Sequence, residues 1–178
     1  MRDVSGANGF SVTYFEAIRE PNGAGAAQTP AAASVMIKDR QVTPRRWSIV
    51  DGEGAVGPGA IVPLAKWQAL EAAGADLGGV GISLDSDADA AVLKPYLAKV
   101  PVIALRFPSW KDGRAYSQAR KLRHLWGYTG VLLAHGDVLR DQILWMSRVG
   151  FDALHLRDDQ DPVASLRAFS LYTSFYQY

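Results

Sequence analysis

The sequence predicts a single α/β domain built on a mainly parallel sheet of repeated strand–helix units. Short apolar runs alternate with amphipathic segments along most of the chain, and this alternation favours parallel strands joined by helical crossovers. The runs are continuously apolar, which is typical of strands buried on both faces. A chain of 178 residues is shorter than a closed eight-fold barrel of about 250 residues. An open three-layer sheet is the first expectation, and a half-barrel-like arrangement is the alternative.

The chain begins with a predicted flexible N-terminal extension, residues 1–34. Its second part, PNGAGAAQTPAAAS, is rich in Gly, Ala and Pro and has no apolar period. The predicted domain, 35–178, opens with a strand and turn in SVMIKDRQV and a second extended segment in RRWSIVDG. GAIVPLAKWQALEAAG then predicts a short strand and a helix that stops at Gly74.

Four strand–helix repeats follow. The predicted strands are 79–85, 101–108, 130–136 and 152–158, and the predicted helices are 87–98, 115–126, 138–149 and 162–174. The aromatic tail AFSLYTSFYQY has spacings of three and four residues, which favour a helix packed on the sheet. Because parallel strands end at one edge, we expect the polar loops after these strands to meet there.

Composition excludes several classes of function. The net charge is +1, so no global field favours nucleic acid or a membrane surface. No apolar run approaches the roughly 20 residues of a membrane span, and the first 20 residues lack the pattern of a secretory signal. We therefore expect a cytoplasmic protein without nucleic-acid or membrane partners.

The chain contains no cysteine, which excludes disulfides, a thiol nucleophile and any iron–sulfur cluster held by this chain. Its three histidines, His124, His135 and His155, show no metal-ligand spacing, so we predict no metal site. His155 lies between two leucines and is predicted to be a hydrogen-bonded core residue, whereas His135 is nearer the edge of the sheet. The sequence contains no Walker loop, and GEGAVGPG (52–59), which has the spacing GxGxxG, lacks a preceding buried strand and a following helix, so any cofactor stays unknown.

The loop FPSWKDGRAYSQ, residues 107–118, carries the strongest anion signal. It opens a basic stretch with a single acid, Asp112, and its last residues belong to a helix start, where free backbone N–H groups favour an anion. Candidate ligand-binding residues in this region are Asp112, Gly113, Arg114, Tyr116, Ser117 and Gln118. The structural alternative is that Asp112 or Ser117 caps the helix and Arg114 balances nearby aspartates. Tyr116, Arg120 and Arg123 fall on the side of the helix opposite its buried face, and the two arginines are predicted to be solvated.

The loop AHGDVLRDQ, residues 134–142, supplies the second wall of the candidate site. Asp137 is predicted to cap the helix 138–149, and Asp141 to lie in its first turn. Gln142 is expected to be partly buried, with partners either in the neighbouring loop's backbone or on a ligand. Candidate residues here are Asp137, Arg140, Asp141 and Gln142. After the next strand, Arg157 and Asp158 are predicted to pair.

An ordered set of motifs carries a family resemblance. FPSWKDGRAYSQARKLR, followed by GDVLRDQ and RVGFDAL, resembles a bacterial family known as domain of unknown function 934, over residues 35–158. The family pattern often has glycine at the position of Ala115, cysteine at that of Val149 and an apolar residue at that of His135. No catalytic residues are established for the family, so the resemblance implies only the motif positions as candidates. These include Arg120 and Gly136 besides the residues named above.

Members of that family are commonly labelled oxidoreductases of sulfite reduction, because their genes lie beside those of sulfite reductase and sulfate activation. The resemblance therefore implies a role in assimilatory sulfur metabolism with sulfite reductase as a partner. Reduction of sulfite to sulfide takes six electrons through sirohaem and an iron–sulfur cluster, and a cysteine-free chain cannot hold such a cluster. An accessory role is the favoured interpretation. The alternatives are a stand-alone small-anion-binding enzyme and a small-anion sensor, each with its site at the carboxyl edge of the sheet.

Overall fold

A computed structural model of the protein describes residues 34–52 and 54–170, and eight strands in these ranges form one sheet. In chain order the strands are β1 (Val35–Lys38), β2 (Gln41–Pro44), β3 (Ser48–Ile49), β4 (Ala60–Pro63), β5 (Gly81–Leu84), β6 (Val102–Phe107), β7 (Val131–Gly136) and β8 (Ala153–Leu154). Their order across the sheet is β2-β1-β8-β7-β6-β5-β4-β3. The ladders from β3 to β8 are parallel, while β1 runs antiparallel to both β2 and β8.

The sheet curls into a half-barrel. Its two outermost strands, β2 and β3, follow each other in the chain and are joined only by residues 45–47. At about 3.3–3.6 Å per residue this link spans at most about 14 Å, so the two edges of the sheet must approach each other. The half-barrel-like alternative predicted from the sequence is therefore the observed one, and the mainly parallel α/β class is confirmed.

The buried apolar residues form two clusters, one on each face of the sheet. The inner face, which we define by the cluster Met36, Ile61, Val102, Ala104, Leu133 and Ala153, is partly covered by Trp47 and Ile49. The outer face packs against the helices and includes Trp67, Leu122 and Met146. Successive strand residues point to opposite faces, so Leu132 and Leu133 of β7 belong to different clusters although both are fully buried.

The helical segments lie between or after the strands, and those of the first and third repeats are shorter than predicted. They are α1 (Leu64–Ala72), a 3-10 helix (Ala90–Tyr96), α2 (Arg114–Arg120) with a π-helical continuation (Lys121–Leu125), α3 (Ile143–Val149), α4 (Pro162–Ser165) and a 3-10 helix (Leu166–Ser170). Pro95 lies inside the predicted helix 87–98 and cannot donate an α-helical bond, in agreement with the 3-10 geometry of that segment. Helix α1 is followed by Gly74 at φ +72°, close to the predicted stop.

The prediction that the third repeat's helix starts at residue 138 was wrong. Helix α3 begins at Ile143 with Gln142 in the N-cap position, and the preceding residues form turns. The Gln142 side chain accepts the Leu139 N–H at 3.2 Å, so it stabilises a turn where a helix was expected.

Some predictions fall outside the described residues. These are the N-terminal extension up to residue 33 and the tail from residue 171 onward, which contains Tyr172, Phe175, Tyr176 and Tyr178. Across 34–52 and 54–170, no helix has the length and apolar character needed to cross a membrane.

Candidate functional site

One arginine and two histidines form a row on the inner face of the sheet, where the parallel strands have their carboxyl ends. Arg106 of β6 pairs in register with His135 of β7, and the next ladder pairs Ala134 with Leu154. The residue after Leu154, His155, donates its backbone N–H to the Ala134 carbonyl at 2.9 Å, so His155 lies beside His135. All three follow inner-face residues by two positions and therefore point to the same face.

A cavity of about 220 Å³ opens beside this row. We call it the mouth cavity, and its lining residues are Arg45, Ile49, His135, Gly136, His155, Leu156, Arg157 and Asp158. Arg45 comes from the link between β2 and β3, whose curl brings it to the carboxyl ends of β7 and β8. Ligands of parallel α/β sheets bind at this edge, so the mouth cavity lies where the fold predicts a site.

The two histidines of the mouth cavity have unsatisfied hydrogen-bonding groups. His155 is 4% exposed, and the Nε2 atoms of both His135 and His155 are buried without a hydrogen-bond partner. Buried polar atoms are nearly always paired, so two adjacent unpaired ones call for a bound water or ligand. The prediction of a core histidine at position 155 is confirmed for its burial, while its Nε2 has no partner.

Electrostatics keeps both rings neutral at physiological pH. The pKa of His135 is lowered to about 4, chiefly by burial and also by Arg106, against the opposing carboxylates of Asp51 and Asp85. Burial also lowers the pKa of His155 to about 3, assisted by Arg45 and His135. A neutral imidazole has one donor and one acceptor nitrogen, so each ring can serve either end of a hydrogen bond.

Two arginines line the mouth cavity. Burial lowers the pKa of Arg45, opposed by the nearby carboxylate of Asp158, but an arginine stays charged at any physiological pH. Arg157 lies on the rim and holds Asp137 and Asp159 at 2.7 Å each. The predicted pairing of Arg157 with Asp158 was therefore wrong, since its guanidinium is engaged by the other two carboxylates.

In the loop 107–118, where the sequence predicted an anion site, Arg114 and Asp112 form an ion pair and neutralise each other. Arg114 contacts the Asp112 carboxylate through Nε at 3.0 Å and Nη2 at 2.7 Å, and Ser86 donates to the same carboxylate at 2.7 Å. These bonds, with the Arg114 side chain first, hold the pKa of Asp112 well below its usual range. The Arg114 backbone N–H also donates to Asp112 at 3.1 Å. The structural alternative for Asp112 and Arg114 therefore accounts for their contacts.

Other members of that loop hold the fold. Gln118 is buried, and its Nε2 donates to the carbonyls of Asp85 and Ala88 at 2.9 and 2.8 Å. Tyr116 was placed on the side away from the core, but its ring packs edge-on against Phe107 at 5.3 Å and burial raises its pKa to about 12. Gly113 and Ser117 are exposed.

The loop 134–142, predicted as the second wall of the site, is hydrogen-bonded to the neighbouring loop 107–118. The Asp137 carboxylate accepts the Trp110 backbone N–H at 2.8 Å and binds Arg157, while Gln142 donates to the Trp110 carbonyl at 2.8 Å. The prediction that Asp137 caps a helix was wrong, because its oxygens are taken by these partners and no helix starts there. For Gln142 the neighbouring loop's backbone is confirmed as the partner.

The remaining predicted positions lie on the surface. Arg140 and Asp141 are exposed, and the Arg140 backbone N–H donates to Gln160 at 3.3 Å. Arg120 is exposed as expected, but the prediction that Arg123 is solvated was wrong. The Arg123 side chain is 20% exposed and donates to the carbonyls of Gly130 and Gly150 and to Asp152. It ties α2's continuation to β7 and the start of β8.

The loops therefore converge as predicted, but the mouth cavity contains none of the candidate ligand-binding residues apart from the motif glycine Gly136. Sequence reasoning missed Arg45 and undervalued His155. Side chains alternate between the two faces of a strand, and this alternation places Arg106, His135 and His155 on one face once the strand register is known. The sequence therefore held a signal for this row of residues. Within 34–52 and 54–170, no group of three or more His, Cys, Asp or Glu side chains is placed to hold a metal ion.

Comparison with known proteins gives one family match. The model of a family described as "Bacterial protein of unknown function (DUF934)" matches residues 81–178, which include β5 to β8 and the two histidines of the mouth cavity. The comparisons with curated proteins and with solved structures returned no match.

Proposed function

Since the chain belongs to the DUF934 family of bacterial proteins of unknown function, we propose that it is an accessory component of assimilatory sulfite reduction that binds a small oxyanion in the mouth cavity. It acts in the cytoplasm beside a sulfite reductase that carries the redox centre. The sulfur role rests on the label commonly given to the family that the motifs resemble. The absence of cysteine supports an accessory role, because this chain supplies no ligand for an iron–sulfur cluster.

The observation that carries the oxyanion site is the combination of charge and unsatisfied polar atoms in one cavity. Arg45 and Arg157 line it with one carboxylate, Asp158. Because Asp137 and Asp159 engage the Arg157 guanidinium, we assign the charge of the ligand to Arg45. His135 and His155 also line the cavity, and their Nε2 atoms have no hydrogen-bond partner within the described part of the chain. Arginine with neutral imidazole is a donor set suited to a small oxyanion, and the partial burial of Arg45 strengthens its attraction.

Binding to the isolated full chain tests this proposal. Titration calorimetry in an oxyanion-free buffer, with sulfite and with inorganic phosphate as probes, is expected to show saturable binding. Arg45→Gln removes a charge-assisted hydrogen bond worth about 1.5–3 kcal/mol, so we expect affinity to fall at least about tenfold. The matched control is Arg46→Gln, which removes the same charge from an exposed neighbour and should bind like the wild type. Equal losses in both variants would overturn the site.

The cellular role is tested in the bacterium that encodes the protein. We expect deletion to slow growth on sulfate as sole sulfur source and not on sulfide, and a tagged chain to co-purify with sulfite reductase. Complementation by Arg46→Gln but not by Arg45→Gln would join the cavity to that role. Normal growth of the deletion strain would exclude sulfite reduction and leave the oxyanion site to be judged by calorimetry.

The second candidate, a stand-alone enzyme or an anion sensor, is favoured by the position of the two histidines. They lie at the carboxyl edge, where parallel α/β enzymes place catalytic groups. Turnover of a sulfur oxyanion by the purified chain would favour the enzyme. Saturable binding without turnover and without a growth defect on sulfate would favour the sensor.

A further inference from the structure

The mouth cavity contains a carboxylate as well as cations. Asp158 lines it together with Arg45 and Arg157, and it is close enough to Arg45 to affect the guanidinium electrostatically. A carboxylate offers only acceptor oxygens at neutral pH. A cavity built for a fully deprotonated oxyanion gains nothing from such a group and suffers repulsion from it.

The histidines add acceptors to the same cavity. Because burial favours the neutral form of both rings, each imidazole keeps one nitrogen with a lone pair. The Nε2 of His155, a residue that is 4% exposed, has no hydrogen-bond partner within the described part of the chain. The lining therefore combines a donor, the Arg45 guanidinium, with acceptors, from Asp158 and the rings.

We propose that the mouth cavity selects oxyanions that retain a proton, such as hydrogenphosphate or hydrogensulfite, over sulfate, and that Asp158 is the residue that determines this specificity. The inference rests on the proposed oxyanion site and names its ligand class. A ligand O–H donates to the Asp158 carboxylate, while the remaining oxygens accept from Arg45 and a ring N–H. Sulfate has no proton to donate, so it meets Asp158 as a like charge.

Hydrogenphosphate and sulfate are a matched pair of probes because they have the same charge and similar size at pH 7.5 and differ by one proton. We expect the wild-type chain to bind phosphate about tenfold more tightly than sulfate, which is the upper part of what one net hydrogen bond supplies. Asp158→Asn offers an amide donor, so it should tighten sulfate, weaken phosphate and abolish the preference.

The control variant is Asp76→Asn, which removes an equal charge in the turn before β5, away from the mouth cavity. Its preference should equal that of the wild type. Equal affinity of the wild-type chain for the two anions, or an unchanged preference in Asp158→Asn, would overturn the inference while oxyanion binding stands. If Asp158→Asn fails to fold, the affinities of the wild-type chain for phosphate and sulfate still test the inference. Absence of binding by either anion and by sulfite would overturn the proposed oxyanion site itself.

Discussion

At the scale of single residues, the mouth cavity depends on groups that the fold leaves unsatisfied. Most polar side chains of the carboxyl edge are paired: Asp112 with Arg114, Gln142 with the Trp110 backbone, Arg157 with two aspartates. His135 and His155 differ, because their Nε2 atoms are buried and have no partner. Gln118 Oε1 and Trp67 Nε1 are unpaired in the same way, so the two histidines are distinguished by also lining the mouth cavity.

Burial of His155 predicts a stability loss in mild acid. Its folded pKa of about 3 lies below the unfolded value near 6.5, so the unfolded chain binds the proton more readily. Stability is therefore full above about pH 6.5 and falls as the pH decreases towards the folded pKa. Between pH 7.5 and pH 5 the titration of His155 should lower the free energy of unfolding by about 2 kcal/mol.

Urea denaturation at the two pH values measures this loss. His155→Gln should reduce it by about 2 kcal/mol relative to the wild type, because the titrating group is gone. His124→Gln, at an exposed position, controls for replacing a histidine and should keep the wild-type pH dependence. An identical loss in His155→Gln would show that the imidazole is not held neutral by burial.

At the scale of elements, the sequence predicted the strands better than the helices. The continuous apolar runs located all four parallel strands from β5 to β8, since each run is buried on both faces. The start of α3 was misplaced, because a plausible cap at Asp137 is instead used by Trp110 and Arg157. Such competition between a local cap and a distant partner has no signature in one sequence.

Gly136 is a position at the end of a strand where the backbone leaves no room for a side chain. It ends β7 at φ +100°, and a Cβ there would lie 2.3 Å from the carbonyl oxygen of Phe107, its partner on β6. Gly136→Ala should cost more than about 3 kcal/mol, since the backbone strain and the clash add. Gly127→Ala is the control: φ is +64° with nothing within 4 Å of the added Cβ, so only strain of about 1–2 kcal/mol applies.

Free energies of unfolding for the two glycine variants separate strain from clash. We expect Gly136→Ala to lose clearly more stability than Gly127→Ala, or to fail to fold while Gly127→Ala folds. Equal losses would mean that the close approach of β6 to β7 is relieved by a small backbone shift.

At the scale of the whole molecule, the curl of the sheet creates the site. Because β2 and β3 are both edge strands and are joined by three residues, the chain between them brings Arg45 to the ends of β7 and β8. Periodicity in the sequence could predict the parallel sheet and the edge where loops converge. It could not predict the curl, which depends on strand order, and so the histidines and Arg45 could not be brought together from the sequence.

The two faces of β7 give a test of how the inner layer supports the mouth cavity. Leu132 and Leu133 are adjacent, fully buried and equal in volume, but Leu133 packs in the inner cluster two residues below His135 and Leu132 packs against the helices. Truncation of either to alanine should destabilise the fold by about 2–5 kcal/mol. Only Leu133→Ala removes the packing beneath the His135 ring, so only this variant should also weaken oxyanion binding several-fold at a temperature where both variants are folded.

Urea denaturation and phosphate calorimetry on the same preparations measure both effects. Equal binding by the two variants would mean that the cavity's geometry is set by its loops, whereas a loss confined to Leu133→Ala makes the inner layer of the half-barrel the support of the site.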